Sequence, residues 1–94
     1  MSREPLTDAE LTTALSTLQG WYVEAGKLTL RKELSTFLEA VAFVQRVAVV
    51  AEELDHHPDI DIRWRTVTLA VNTHDAGNAI TAKDTALAAR VNAL

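Results

Sequence analysis

The first apolar pattern along the chain has helical spacing and consists of Leu11, Leu15 and Leu18. This spacing predicts a first helix with one narrow apolar face. Thr7 or Asp8 can cap its beginning, and Gly20 is expected to end it.

Two short segments that follow have the character of strands. They are Trp21–Glu24 and residues 27–32, where Leu28 and Leu30 alternate with polar side chains. Ala25 and Gly26 separate them, and a glycine suits a tight turn. This region therefore predicts a β-hairpin.

A second helix is expected over residues 36–54, which contain neither proline nor glycine, with Ser35 as its cap. Its apolar residues form two stripes: Phe37, Val41, Val44, Ala48 and Ala51, and then Phe43, Val47, Val50 and Leu54. Together they are wider than one sheet face requires, which indicates burial on two sides. The second side would contact either another copy of the chain or another helix. If the second stripe is an interface, Val47→Glu should disrupt the oligomer.

A second strand pair is predicted after Pro58, which terminates the helical pattern. Its apolar residues are Ile60, Ile62 and Trp64 at even positions and Val67, Leu69 and Val71 at odd positions. In one continuous strand, a change from even to odd apolar positions would move the apolar side chains to the opposite face of the sheet. A turn or bulge near Arg65 resolves this conflict.

The last part of the chain predicts a loop over residues 75–78 and a third helix that begins at Thr81. Thr81 and Asp84 form a capping-box pattern, with aspartate where glutamate is more usual. The order is helix, two strands, helix, two strands, helix. It predicts a single α+β domain over residues 1–94, with helices on one face of a four-stranded antiparallel sheet.

Composition excludes several classes of function. The 94 residues carry a net charge of −4 with no block of lysine or arginine, so nucleic-acid binding is not expected. The absence of cysteine excludes disulfides and thiolate metal sites. The N-terminal residues 1–5 do not lead into an apolar signal core, and the longest apolar stretch, residues 47–51, is too short to span a bilayer. We therefore expect a cytoplasmic protein with no membrane contact.

All three histidines, His56, His57 and His74, fall within nineteen consecutive positions. Two of them follow the predicted long helix and one follows a predicted strand, so they can meet at one rim of the sheet. Histidine has an ordinary pKa of about 6.5 and can exchange protons near neutral pH. An acid–base site is one interpretation. The other is that they are polar residues at a helix end, where positive charge suits the helix dipole.

A metal site is the less favoured interpretation of these histidines. Adjacent residues diverge on a helix and point to opposite faces on a strand, so His56 and His57 do not have the usual spacing of metal ligands. Structural roles are also open for neighbouring residues. In the alternative interpretation, these residues have no functional role: Asp84 simply caps a helix, Trp64 is simply a core residue, and Pro58 simply ends a helix.

A set of residues along the chain, taken with its spacing, resembles the pattern of the pterin-4a-carbinolamine dehydratase family. The residues that carry the resemblance are Glu52, His56-His57-Pro58, Trp64, Thr73-His74 and Asp84, in that order and at family-like spacing. The likeness also includes residues 18–21, 37–44 and 55–60. Trp64 stands where the family also has tyrosine, and residues 75–80 vary from the usual glycine-rich run.

The resemblance implies an enzyme that removes water from a 4a-hydroxytetrahydropterin to give the quinonoid dihydropterin, in tetrahydrobiopterin recycling. It implies no metal and no organic cofactor. His56, His57 and His74 would be catalytic, with His56 and His74 transferring protons and His57 holding or polarising the substrate. The remaining site residues would be substrate-binding: Glu52, Asp55, Trp64, Thr73 and Asp84. Asp84 would also orient a histidine.

Other functions are compatible with the same fold. One is a binding or assembly protein that uses the dehydratase fold, and another is a pterin step linked to molybdopterin metabolism. The broad apolar helix is also explained by self-association into a homodimer or homotetramer. Retention of all three histidines favours the enzyme.

Overall fold

The elements follow the predicted order in the computed structural model, which describes residues 4–94. The helices are α1 (Asp8–Thr17), α2 (Phe37–Leu54) and α3 (Ala82–Asn92), and a short 3₁₀ turn covers His74–Ala76. The strands are β1 (Trp21–Glu24), β2 (Lys27–Glu33), β3 (Asp59–Arg63) and β4 (Thr66–Val71). The predicted α+β class is confirmed. The first three residues of the segment considered above for a signal core lie outside the described residues.

The four strands form one antiparallel sheet in the order β1-β2-β4-β3. Leu28 pairs with Val71 and Leu30 pairs with Leu69, and all four side chains are buried on the face that the helices cover. The opposite face of the sheet is open. As an outer strand, β3 has no buried residue, and Ile60 remains partly exposed even though it pairs with buried Leu69.

Two helix termini differ slightly from the prediction. Thr36, not Ser35, caps α2, because its hydroxyl accepts the backbone N–H of Glu39 at 3.0 Å. Helix α1 is capped by Thr7 as predicted, but it ends at Thr17 with Leu18 as its C-cap. Gly20, at φ +89°, lies in the turn between that cap and β1 rather than at the end of the helix itself.

Helix α2 buries one of its two apolar stripes within the chain, whereas on the other stripe only Ala51 is fully buried. Val47 is 0% exposed and belongs to the core, together with Phe43 and Val50. The interpretation of this stripe as an oligomer interface is therefore wrong, because it packs against the sheet. On the other stripe, Phe37 is 50% exposed and Ala48 is also exposed.

The change from even to odd apolar positions after β3 occurs across a two-residue turn at Trp64 and Arg65, as predicted. The predicted capping box at the start of α3 is also present: Asp84 accepts the backbone N–H of Thr81 at 2.8 Å. Across residues 4–94, no helix has the length and apolar character needed to cross a membrane.

Candidate functional site

The three histidines lie at the same end of the β3–β4 hairpin. Asp59, the first residue of β3, pairs with Ala70 near the end of β4. His56 and His57 come just before β3, and His74 comes just after β4. The ends of α2 and β4 therefore meet at one rim of the sheet, as the sequence predicts.

A buried carboxylate anchors this rim. Asp84 is 0% exposed, and its Oδ1 lies 2.6 Å from Nε2 of His56, whose side chain is only 11% exposed. An ionised carboxylate can only accept hydrogen bonds, so Nε2 of His56 donates. The other ring nitrogen, Nδ1, is then the atom of this histidine that can exchange a proton with a bound molecule.

Two threonines hold the other oxygen of the same carboxylate. The Thr73 hydroxyl donates to Asp84 Oδ2 at 2.9 Å, and the Thr81 backbone N–H donates to the same oxygen at 2.8 Å. Because Thr73 has given its only proton to Asp84, the Thr81 hydroxyl must donate to Thr73, 2.7 Å away. Asp84 is thus both the N-terminal cap of α3 and the partner of His56.

The other two histidines are more exposed. Nε2 of His57 donates to Oε2 of Glu52, one turn back on α2, at 2.5 Å, and both side chains are more than half exposed. Nδ1 of His74 faces Oδ1 of Asn78 at 3.3 Å, which leaves Nε2 of His74 open. His74 directly follows Thr73, so Asp84 links the positions of His56 and His74.

Asp55 lies beside the histidines and has a clear local role. It is the C-cap of α2 with a left-handed backbone, at φ +49° and ψ +46°. Aspartate tolerates this conformation better than most residues, which explains its place at the end of the helix. Its side chain is exposed.

Trp64 does not join the cluster within one chain. It lies in the turn at the opposite end of β3, which at about 3.3 Å per residue is roughly 16 Å long. Its side chain is 71% exposed, and the Arg65 guanidinium lies over the ring at 4.7 Å from the centroid. Seven of the eight predicted site residues lie at or near the histidine end of the β3–β4 hairpin, where direct contacts join Asp84 to His56 and Thr73, and His57 to Glu52. Trp64 lies at the other end.

Sequence reasoning identified Thr81 as a helix cap and did not place it in the site. The spacing did indicate this contact. In a capping box, the side chain of the third helical residue reaches back to the cap, so Asp84 is expected to contact Thr81 as well as any partner in the site. Asn78, the partner of His74, had no signal beyond its position in a turn. Within residues 4–94, no three histidine or carboxylate side chains are arranged to hold a metal ion.

Comparison with known proteins places the chain in a family. Residues 4–94 match the model of the pterin 4 alpha carbinolamine dehydratase family. A Streptomyces coelicolor protein, provisionally named a pterin-4-alpha-carbinolamine dehydratase, is 49% identical over 94 residues, which cover 100% of this chain and 93% of that protein. A provisionally named relative from Mycolicibacterium smegmatis is 51% identical over 87 residues, or 93% and 92% of the two chains. The chain belongs to this family.

Solved structures agree with the fold. The crystal structure of a transcriptional coactivator/pterin dehydratase from Brucella melitensis superposes with a TM-score of 0.88 at 33% identity, covering 96% of this chain and 97% of that one. A pterin dehydratase-like protein described as a RuBisCO assembly factor in the alpha-carboxysome gives a TM-score of 0.63 at 23% identity, covering 78% and 83%. At that identity the second likeness concerns the fold alone.

Proposed function

We propose that this protein is a hydro-lyase that converts 4a-hydroxytetrahydrobiopterin to quinonoid dihydropterin and water. The observation that carries the proposal is the buried contact between Asp84 and His56, at the rim where His57 and His74 also lie. A capping aspartate needs no histidine partner, so this contact supports a functional role for the ring beyond stability.

The reaction requires two proton transfers. The 4a-hydroxyl oxygen must gain a proton as the C4a–O bond breaks, and the neighbouring ring N–H must lose one as the C=N bond forms. His56 and His74 carry these two roles, through Nδ1 of His56 and Nε2 of His74. Positioned acid–base groups typically contribute about 10²–10⁴-fold each.

Substrate binding completes the proposal. His57, held by Glu52, polarises or holds the pterin, and the exposed side chain of Asp55 hydrogen-bonds its amide-like edge. Thr73 is buried and its hydroxyl is engaged with Asp84 and Thr81, so it contributes by holding Asp84 rather than by touching the pterin. Asp84 acts through His56, because it keeps the proton on Nε2 and thereby leaves Nδ1 available. The chemistry uses side chains alone, with no metal or organic cofactor.

The direct test is the rate at which freshly generated 4a-hydroxytetrahydropterin loses water, followed by absorbance with and without the protein. We expect acceleration by the native chain and a loss of about 10²–10⁴-fold in His74→Ala. Gln45→Ala, on the exposed surface of α2, is the matched control and should keep full activity.

The melting temperature separates the alternatives. His74 is exposed and has one long contact, so His74→Ala should melt within a few degrees of the native chain. A large drop would argue that the histidine is structural. No acceleration by folded native protein would favour a binding or assembly role on the same fold.

The setting of the reaction belongs to the same proposal. We place the protein in the cytoplasm, as one functional unit over residues 1–94 that takes part in tetrahydrobiopterin recycling and forms a homodimer or homotetramer. The open stripe of α2 around Val41 and Val44 supports self-association, because both side chains stay partly exposed in the single chain. Val41→Glu should therefore reduce the mass measured by light scattering, and an unchanged mass would count against this surface.

A further inference from the structure

The open face of the sheet carries a polar hollow that the dehydratase chemistry does not use. Its volume is about 320 Å³, and it is lined by Arg31, Asp61, Arg63, Thr66 and Thr68. These residues come from three neighbouring strands, and the helices cover the other face of the sheet. The hollow therefore lies away from the buried contact between Asp84 and His56.

Strand register brings the polar groups together. Arg31 on β2 pairs with Thr68 on β4, and Thr68 pairs with Asp61 on β3. In the next row, Thr66 on β4 pairs with Arg63 on β3. Adjacent strands lie about 4.8 Å apart, so both guanidinium groups can reach the space above the two threonines.

The hydrogen-bonding capacity of the hollow is largely unused. Within residues 4–94, Arg31 has no ion pair or side-chain hydrogen bond, and neither the Thr66 nor the Thr68 hydroxyl has a partner. In the described part of the chain, the one ion pair of Arg63 is with Asp61, through Nε at 3.3 Å, and its side chain is highly exposed. The two arginines and one aspartate that line the hollow give it a formal charge of +1. Glu33, which pairs with Thr66 from β2, is neutralised by Arg65 at 2.7 Å.

We propose that this hollow binds the phosphate group of a small phosphorylated molecule. A phosphate presents at least three terminal oxygens, enough to accept hydrogen bonds from both guanidinium groups and both hydroxyls. Arginine suits this task because its planar group donates two parallel hydrogen bonds to an oxyanion. A carboxylate has only two oxygens and would leave donors unused. The chain has no basic block that would extend the site along a nucleic acid.

The probe for this proposal is inorganic phosphate, added to ¹⁵N-labelled full-length protein at constant ionic strength. We expect saturable shifts of the amide signals of Arg31, Arg63, Thr66 and Thr68. Arg31→Gln should weaken the apparent affinity by about tenfold or more, since hydrogen bonds to charged groups are among the stronger ones. Arg46→Gln removes the same charge from the exposed surface of α2 and should leave the affinity unchanged.

Two further variants sharpen the result. Asp61→Asn removes the one negative charge of the hollow and should tighten phosphate binding, whereas it would weaken binding of a cation. Thr68→Val keeps the shape of the side chain but removes the hydroxyl, so it should weaken phosphate binding severalfold.

Some outcomes would overturn the proposal. These are shifts that grow linearly without saturation, equal losses in Arg31→Gln and Arg46→Gln, or acetate binding as tight as phosphate binding. His74→Ala should bind phosphate like the native chain, so failure of this proposal is distinguishable from failure of the proposed dehydratase activity.

Discussion

The two ends of the β3–β4 hairpin contrast sharply. At the histidine end, Asp84 is fully buried, and its two oxygens accept three hydrogen bonds from three parts of the chain. At the turn end, Trp64 is exposed and contacts Arg65, its neighbour in sequence. A buried polar group is costly unless it is satisfied, so the first end demands a defined geometry and the second does not.

Removal of Asp84 should give the largest effect. In Asp84→Ala, the donors on His56, Thr73 and Thr81 lose their acceptor in a buried place. We expect the free energy of unfolding to fall by about 3–5 kcal/mol, measured by urea denaturation. Asp61→Ala, which breaks an exposed ion pair with Arg63, should cost less than about 1 kcal/mol. Similar losses in the two variants would show that the buried hydrogen bonds of Asp84 contribute no more to stability than an exposed ion pair.

A matched pair of threonines gives an intermediate effect. Thr73→Val keeps the shape of the side chain but removes the donor to Asp84, so it should cost about 1–3 kcal/mol and slow dehydration. Thr68→Val, on the open face of the sheet, loses a hydroxyl that has no partner among residues 4–94 and should change stability by less than about 0.5 kcal/mol. Equal stability of the two variants would show that the network around Asp84 contributes little.

The smallest effect is expected at the hairpin turn. Trp64 has φ +53°, a left-handed conformation that costs a bulky residue about 1–2 kcal/mol. Trp64→Gly relieves that cost but loses the cation–π contact with Arg65, worth about 0.5–1 kcal/mol, so the free energy of unfolding should change by no more than about 1.5 kcal/mol. Dehydration should proceed at the native rate. If Trp64→Gly folds well but has a reduced dehydration rate, Trp64 instead contributes to the site of another copy of the chain.

Much of the fold could be predicted because it is encoded locally. The change of parity between Ile62 and Val67 required a turn, and the turn is at Trp64 and Arg65. Thr81 and Asp84 had the spacing of a capping box, and the box is present. Such patterns need only neighbours in sequence to be read correctly.

The features that sequence reasoning missed depend on tertiary contacts. The two stripes of α2 are similarly apolar, so the pattern alone does not tell which one packs on the sheet. In the site, the family resemblance grouped Trp64 with the histidines, although within one chain a strand of five residues separates them. The double role of Asp84 also depends on where α3 docks, because His56 is 28 residues away along the chain.

Because Asp84 both caps α3 and holds His56, the geometry of the site depends on the first turn of α3 staying folded. If the first turn of α3 opens, Asp84 moves away from His56, so the proton-exchanging geometry lasts only as long as that turn stays closed. The exchange of the Thr81 amide, which donates to Asp84, with heavy water should then be set by the fraction of time that this turn is open. Exchange at this single amide would report the free energy of the local opening that separates Asp84 from His56 in the folded protein.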